Sequence, residues 1–285
     1  MQPKSIHPAL GSALTLLACA ILTACMLMPG RFTSGLDIRK DGRFNYTYTG
    51  EMHLLALSKL AEMDNKANQE FEPKPCYSEG SGTERVCSSR ELSRQKEEWQ
   101  QDRQRELEKN KREAESARML LGGIDPSDPE AANEFAERLR RQTGWRTVEY
   151  KGNGLFDVDF AISGRLDHDF SFPTIERFPM ANAFIQITLR QDGTVRIDAP
   201  GFGPAASGSP FAGLMQMAAM SDENDKNDAP DVPVIDGEFT ITTDGTILAN
   251  NTDEGPQSSE SGQRLFWKVS AQSHAPPTAL LRLAE

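Results

Sequence analysis

Few side chains in these 285 residues are spaced for chemistry. Asp157 and Asp159 flank Val158 in an alternating stretch, which sets two carboxylates about 7 Å apart on one strand face. Glycosidases use a carboxylate pair at such a spacing, but alternation alone puts two acids on the wet face of many sheets. Asp167-His168-Asp169 places carboxylates beside an imidazole, as an orienting pair would, and equally marks a turn between strands. Ser93-x-x-Lys96 lacks the SDN and KTG companions of a penicillin-type nucleophile, and neither GxSxG nor HExxH occurs. Gly201-Phe202-Gly203-Pro204-Ala205-Ala206 imitates a dinucleotide fingerprint, yet that motif needs a βαβ unit. Here a hairpin strand precedes it, and Pro210 interrupts the stretch where the helix would run. Asp222 to Asp228 imitates a calcium loop, with Lys226, Asn227 and Pro233 where a ligand, a turn glycine and a bidentate Glu are required. His53, His168 and His274 are too scattered for a ligand set. The sequence therefore leads us to expect no catalytic set, no metal site and no cofactor; a hydrolase built on Asp157 or Asp159 is the enzymatic alternative.

The cysteines say more. No charge falls between Lys4 and Arg31, and the apolar run from Ala9 to Met28 is long enough to span a bilayer. It also has the form of a secretory leader, an apolar core followed by small residues at a cut site. Leu22-Thr23-Ala24-Cys25 favours the leader, because it resembles the lipobox of bacterial lipoproteins, in which the cysteine thiol receives a diacylglyceryl group and becomes the new amino terminus. Pro29-Gly30 reads as a helix stop. Residues 1–24 are then the signal peptide and Cys25 the lipidated residue, with an uncleaved anchor helix as the alternative. Met26 and Leu27, where an acid often holds such a protein at the inner membrane, favour outer-membrane delivery. Cys76 and Cys87 remain, with Gly80-Ser81-Gly82 between them for a return turn. In an oxidising compartment a structural disulfide is expected, two free thiols being the alternative; no histidine lies close enough for zinc.

Alternation organises the rest. Leu36 to Arg39 and Phe44 to Thr49 flank Asp41-Gly42, Ile185 to Leu189 and Val195 to Asp198 flank Asp192-Gly193, and Phe239 to Thr242 and Ile247 flank Asp244-Gly245. Each reads as a β-hairpin, and Phe156 to Ile162 and Leu265 to Val269 add strands. Helices are expected over about 54–69 and 129–141, the second with Phe135, Ala136 and Leu139 inward, a capping box at Ser127-x-x-Glu130 and Gly144 at its end. Residues 90–118 carry nine basic and eight acidic side chains and only Leu92, Trp99 and Leu107 as large apolar ones. That composition predicts a long charged helix, solvated or serving as a docking arm, with too few apolar positions for a coiled coil.

The expected fold is α+β: mainly antiparallel sheet built of hairpins, helices packed on one side, and the charged helix inserted. We divide the chain into the signal peptide, an α+β domain over 25–199, a Pro/Gly/acidic linker over 200–233, and a C-terminal β segment over 234–285 completing the same domain. A formal charge of −11 argues against nucleic acid. Losing residues 1–24 removes Lys4 and no acid, giving −12, so repulsion from anionic headgroups leads us to expect the folded part to stand off the membrane. Tyr46, Tyr48, Phe156 and Phe160 lie on alternating strand faces and are candidates to line a lipid groove, core packing being the plainer reading.

Cys25 through Pro29-Gly30, Leu36-Asp37-Ile38, Phe44-x-Tyr46-x-Tyr48, Phe239 to Asn251 and Leu265-Phe266-Trp267 together resemble the LppM-like domain of bacterial envelope lipoproteins, over about half the chain. The insertion with Cys76, Cys87 and the charged helix departs from that domain. The resemblance implies an α+β, lipid- or glycolipid-associated envelope module with no catalytic residues to carry over. The expected function is thus that of a membrane-anchored, non-enzymatic envelope lipoprotein binding a lipid-like ligand; the alternative is a scaffold docking a protein partner through 90–118.

Overall fold

The computed structural model describes residues 27–55, 57, 70–78, 82–120, 130–176, 182–203 and 234–283. Cys25, most of the helix expected over 54–69, Ser127 and the acidic run at 222–228 lie outside them. The first strand, β1 (Leu27–Ile38), returns through residues 39–42 into β2 (Arg43–Leu54), with Ile38 opposite Phe44 and Leu36 opposite Tyr46. The turn is set locally: Gly42 takes a left-handed φ of 82°, its N–H donates to the Arg39 carbonyl, and the Asp41 carboxylate accepts the Arg43 N–H at 3.0 Å. The Arg39 N–H also donates to the Arg43 carbonyl at 2.9 Å, so Lys40–Gly42 is the three-residue loop with glycine at the left-handed position. The same device recurs between β8 (Ile185–Leu189) and β9 (Thr194–Asp198), where Gly193 is left-handed and Asp192 accepts the Thr194 N–H at 3.0 Å.

The third Asp-Gly is not a hairpin. β10 (Asp236–Thr243) pairs with β13 (Gly262–Ser270) and, in parallel, with β1, whereas β11 (Thr246–Asn250) pairs with β14 (Thr278–Arg282). Asp244-Gly245 therefore carries the chain from one sheet to the other. Gly245 has no left-handed φ, and its N–H is taken by the buried Thr243 hydroxyl at 2.9 Å.

The remaining strands are β3 (Cys76–Tyr77), β4 (Glu84–Arg85), β5 (Trp145–Gly152), β6 (Leu155–Arg165), β7 (Phe170–Phe172) and β12 (Gln257–Ser259). They complete a seven-stranded sheet in the order β12-β13-β10-β1-β2-β6-β5, a five-stranded sheet in the order β11-β14-β9-β8-β7, and the small pair β3-β4. Every pairing among the described residues is antiparallel except β1 with β10. The architecture is mixed α+β with antiparallel sheets, but the expectation of helices covering one side of the sheet is corrected. The inner face of the large sheet is covered by the small sheet, because the strand period of two lines up aromatics that meet across the gap. Tyr46 touches Phe170 and Phe172, Tyr48 touches Phe172 and Phe184, and Phe32 stacks on Phe202.

Two helices are described: α1 (Ser89–Leu120) and α2 (Ala131–Arg140). α2 buries Phe135, Ala136 and Leu139 against the β5 edge of the large sheet, and Phe135 meets Phe156 edge-on. Its N-cap is Glu130, which makes no side-chain cap. Gly144 follows with a φ of 95°, and a Cβ there would stand 2.5 Å from the Phe160 ring, so both backbone and packing require glycine. Pro200–Phe202 form a 3-10 turn with Phe202 in the core, and Gly203 lies against Pro276. Residues 200–203 therefore belong to the fold, although they fall within the linker expected over 200–233.

Candidate functional site

The four aromatics expected to line a groove are closed off. Tyr46, Tyr48 and Phe156 are fully buried and Phe160 nearly so. Tyr46 packs on Phe160, Phe160 on Trp145 and Phe172, and Phe156 on Tyr150 and Phe135. Their polar ends are satisfied internally: the Tyr48 hydroxyl donates to the Glu51 carbonyl at 2.6 Å, and the Tyr46 and Ser34 hydroxyls are hydrogen-bonded at 3.1 Å. The expectation of a lipid groove gives way here to a core, because alternation on β2 and β6 turns Tyr46, Tyr48 and Phe160 toward the facing sheet and Phe156 toward α2. A lipid-like ligand would need a cavity built from other residues.

The acids singled out in the sequence are on the outside. Asp157 and Asp159 sit on the outer face of β6, and the Thr49 hydroxyl reaches Asp159 at 3.5 Å. Asp157 stands in register between Glu51 and Glu149, and those two are paired with Arg31 and Lys151. Arg31 holds the Glu51 carboxyl below its usual range, as Lys151 does for Glu149. Nearby, Arg31, Thr33, Thr49, Asp236, Glu238 and Lys268 line an open depression of about 470 Å³, in which cations and carboxylates alternate. His168 contacts Asp167 in an exposed turn, while Asp169 accepts the Leu189 N–H at 2.9 Å. Among the described residues no three His, Cys, Asp or Glu side chains are grouped to hold a metal ion.

The insertion builds a different kind of site. Cys76 and Cys87 form a disulfide with their α-carbons 5.2 Å apart, closing a hairpin whose strands β3 and β4 pair only with each other. Ser88-x-x-Glu91 then starts α1 as a capping box: the Ser88 N–H donates to the Glu91 carboxylate at 2.8 Å, and the Glu91 N–H to the Ser88 hydroxyl at 3.4 Å. Arg85 grips the same carboxylate at 2.6 and 2.9 Å and, with Ser88, holds it far below the usual carboxylate range. No sequence-based expectation covers this box, although Ser-x-x-Glu at 88–91 is the same signal as Ser127-x-x-Glu130.

One stripe of α1 rests on the segment before the disulfide. Gln95 bridges the Lys74 backbone, accepting its N–H at 2.9 Å and donating to its carbonyl at 3.2 Å. Phe71 meets Trp99 edge-on at 5.8 Å, and the Arg103 guanidinium lies over the Trp99 ring at 5.0 Å. The partly covered positions are thus Glu91, Leu92, Gln95, Trp99 and Arg103, spaced along one face. Beyond Arg103 every α1 residue whose side chain is described is exposed, Leu107 included, and no strand of either sheet packs along the helix. Tyr77, Val86 and Leu107 are three of the six large apolar side chains exposed among the described residues.

At the other end of the chain, Leu27 and Met28, which the sequence grouped with the apolar leader, are core residues of β1. Pro29-Gly30, read as a helix stop, sits inside that strand at a break in its register with β2. No helix among the described residues is long and apolar enough to cross a membrane.

No protein-family model matches the chain. Comparison with curated proteins finds no match either. Among solved structures the chain is similar to the NMR structure of the Mycobacterium tuberculosis LppM folded domain, over 90% of each chain, at 11% identity and a TM-score of 0.29. A likeness that slight carries no argument, and the fold rests on this chain's own residues.

Proposed function

We propose that this chain is a cell-envelope lipoprotein, anchored through acylated Cys25, that acts by binding rather than by catalysis and presents α1 to a protein partner. The observation that carries the docking role is the exposure of α1 beyond Arg103, on a base fixed by the Cys76–Cys87 disulfide, the Ser88–Glu91 box and the Phe71–Trp99–Arg103 stack. A helix whose composition disfavours burial, held at its base and flanked by exposed Tyr77, Val86 and Leu107, supplies charged pairs for selectivity and a few apolar contacts for affinity. Support for the anchor comes from the lipobox-like Leu22-Thr23-Ala24-Cys25 after an uncharged apolar run.

The test is a deletion. A chain lacking residues 90–118 should keep the thermal transition of the two-sheet body and lose crosslinks to envelope proteins formed in intact cells by a photoreactive residue at position 86. Unchanged crosslinks would remove the docking role.

A further inference from the structure

The anchor reading has a geometric corollary. Leu27 has no exposed surface, its N–H donates to the Asn182 side chain at 3.0 Å, and it pairs with Leu54. β1 is therefore fixed up to its first residue, and the only slack between it and Cys25 is two residues of backbone, about 7 Å at full extension. The headgroup layer of one leaflet is itself roughly 5–7 Å deep. An acyl group on Cys25 seated in the hydrocarbon therefore keeps Leu27 within about one headgroup depth of it, at the outer edge of that layer or inside it.

The elements that share this end are set by the register. His53 pairs with Leu155, the Leu54 N–H donates to the Gly154 carbonyl at 2.8 Å, and Gly152 faces Leu155 across the β5–β6 turn. The opposite end holds the β1–β2 turn, where the Leu166 N–H donates to the Gly42 carbonyl at 2.8 Å and the Lys40 N–H to Asp244 at 2.7 Å. Along the 12 residues of β1 the two ends are about 35 Å apart.

We infer that the end formed by Leu27–Pro29, Met52–Leu55, the β5–β6 turn and Asn182–Phe184 lies in the phospholipid headgroup layer, with the strands of the large sheet rising from it. The inference rests on the anchor reading above. It replaces the expectation, drawn from net charge, that the folded part stands off the membrane. Among the described residues at 27–29, 52–55, 151–154 and 182–184, His53 and Lys151 are the only ionisable side chains. The carboxylates one step further along the strands, Glu51, Asp157 and Glu149, share their face with Arg31 and Lys151. With a Debye length of about 8 Å in physiological salt, acids elsewhere in the molecule are screened from this contact.

The experiment uses the full-length lipidated protein in vesicles of phosphatidylethanolamine and phosphatidylglycerol that contain a nickel-chelating headgroup lipid. Lys151→Cys and Lys40→Cys each introduce one reactive thiol, which is spin-labelled. The label at 151 should be relaxed by the nickel on the order of tenfold more than the label at 40, given ends about 35 Å apart and a headgroup layer under 10 Å deep. A Gly-Ser insertion of about twelve residues between Met26 and Leu27, which reaches roughly 20 Å, should abolish the contrast. Protein that floats with the vesicles but shows equal relaxation at both labels overturns this inference and leaves the anchor standing. Protein that does not float overturns both.

Discussion

At the scale of single residues, the buried tyrosines are the most consequential. Tyr46 and Tyr48 sit between the sheets, where burial pushes both phenols up, Tyr48 far above its ordinary value. The unfolded chain gives up those protons near pH 10, while the folded chain keeps them. Stability is therefore insensitive to these groups below about pH 10 and falls as pH rises above it, because the unfolded state binds fewer protons. Of the four tyrosines, two should ionise only in step with alkaline unfolding, seen as absorbance at 295 nm rising together with loss of the β-sheet circular dichroism signal. All four ionising while that signal persists would place Tyr46 and Tyr48 outside a sealed core. The sequence made both tyrosines legible as inward-facing but not what they face. Alternation on β2 fixes a side of the sheet, and only the return of β7 and β8 across it decides between groove and core.

Among elements, the insertion carries ties of its own: a disulfide, a strand pair and a capped helix start. The disulfide closes a short loop, residues 76 and 87 being 11 apart, which in the chain-entropy model contributes roughly 2–3 kcal/mol. The strands it staples pair only with each other, so its loss should fall on the insertion. In a Cys76→Ser/Cys87→Ser variant, amide hydrogen exchange is expected to speed up in β3, β4 and α1 as far as Arg103, while β1, β2 and β6 keep their protection. Equal loss of protection in both regions would mean that the insertion supports the body. The turns show why part of the topology was readable. Arg39-x-Asp41-Gly42 and Arg190-x-Asp192-Gly193 close hairpins because their glycines are left-handed and their aspartates hold the backbone two residues on. Thr243-Asp244-Gly245 carries the same dipeptide without the left-handed glycine, and β10 before it alternates as cleanly as any hairpin strand, yet the strand after it belongs to the other sheet. Periodicity reports which face of a strand is wet, not which neighbour it takes. The parallel pairing of β1 with β10 joins residues some 200 apart in sequence, and no local pattern encodes it.

For the molecule as a whole, the same chain meets three different environments. The core seals its aromatics between two sheets, α1 turns its charges to solvent beyond Arg103, and the amino-terminal end of β1 leaves no length for a spacer between Leu27 and the lipobox cysteine. Residues 234–283 supply strands to both sheets, so the body cannot close before this last stretch of the chain is in place. The proposed attachment at Cys25 would unite these features, since the compartment, the redox state of Cys76 and Cys87, and the side from which α1 is reached would all follow from it. The most direct test is mass spectrometry of the amino-terminal peptide of the protein taken from its own cells. Attachment at Cys25 requires a peptide that begins at that residue and carries a diacylglyceryl adduct. A peptide that reads uncut through Ala24 into a free Cys25 thiol contradicts it.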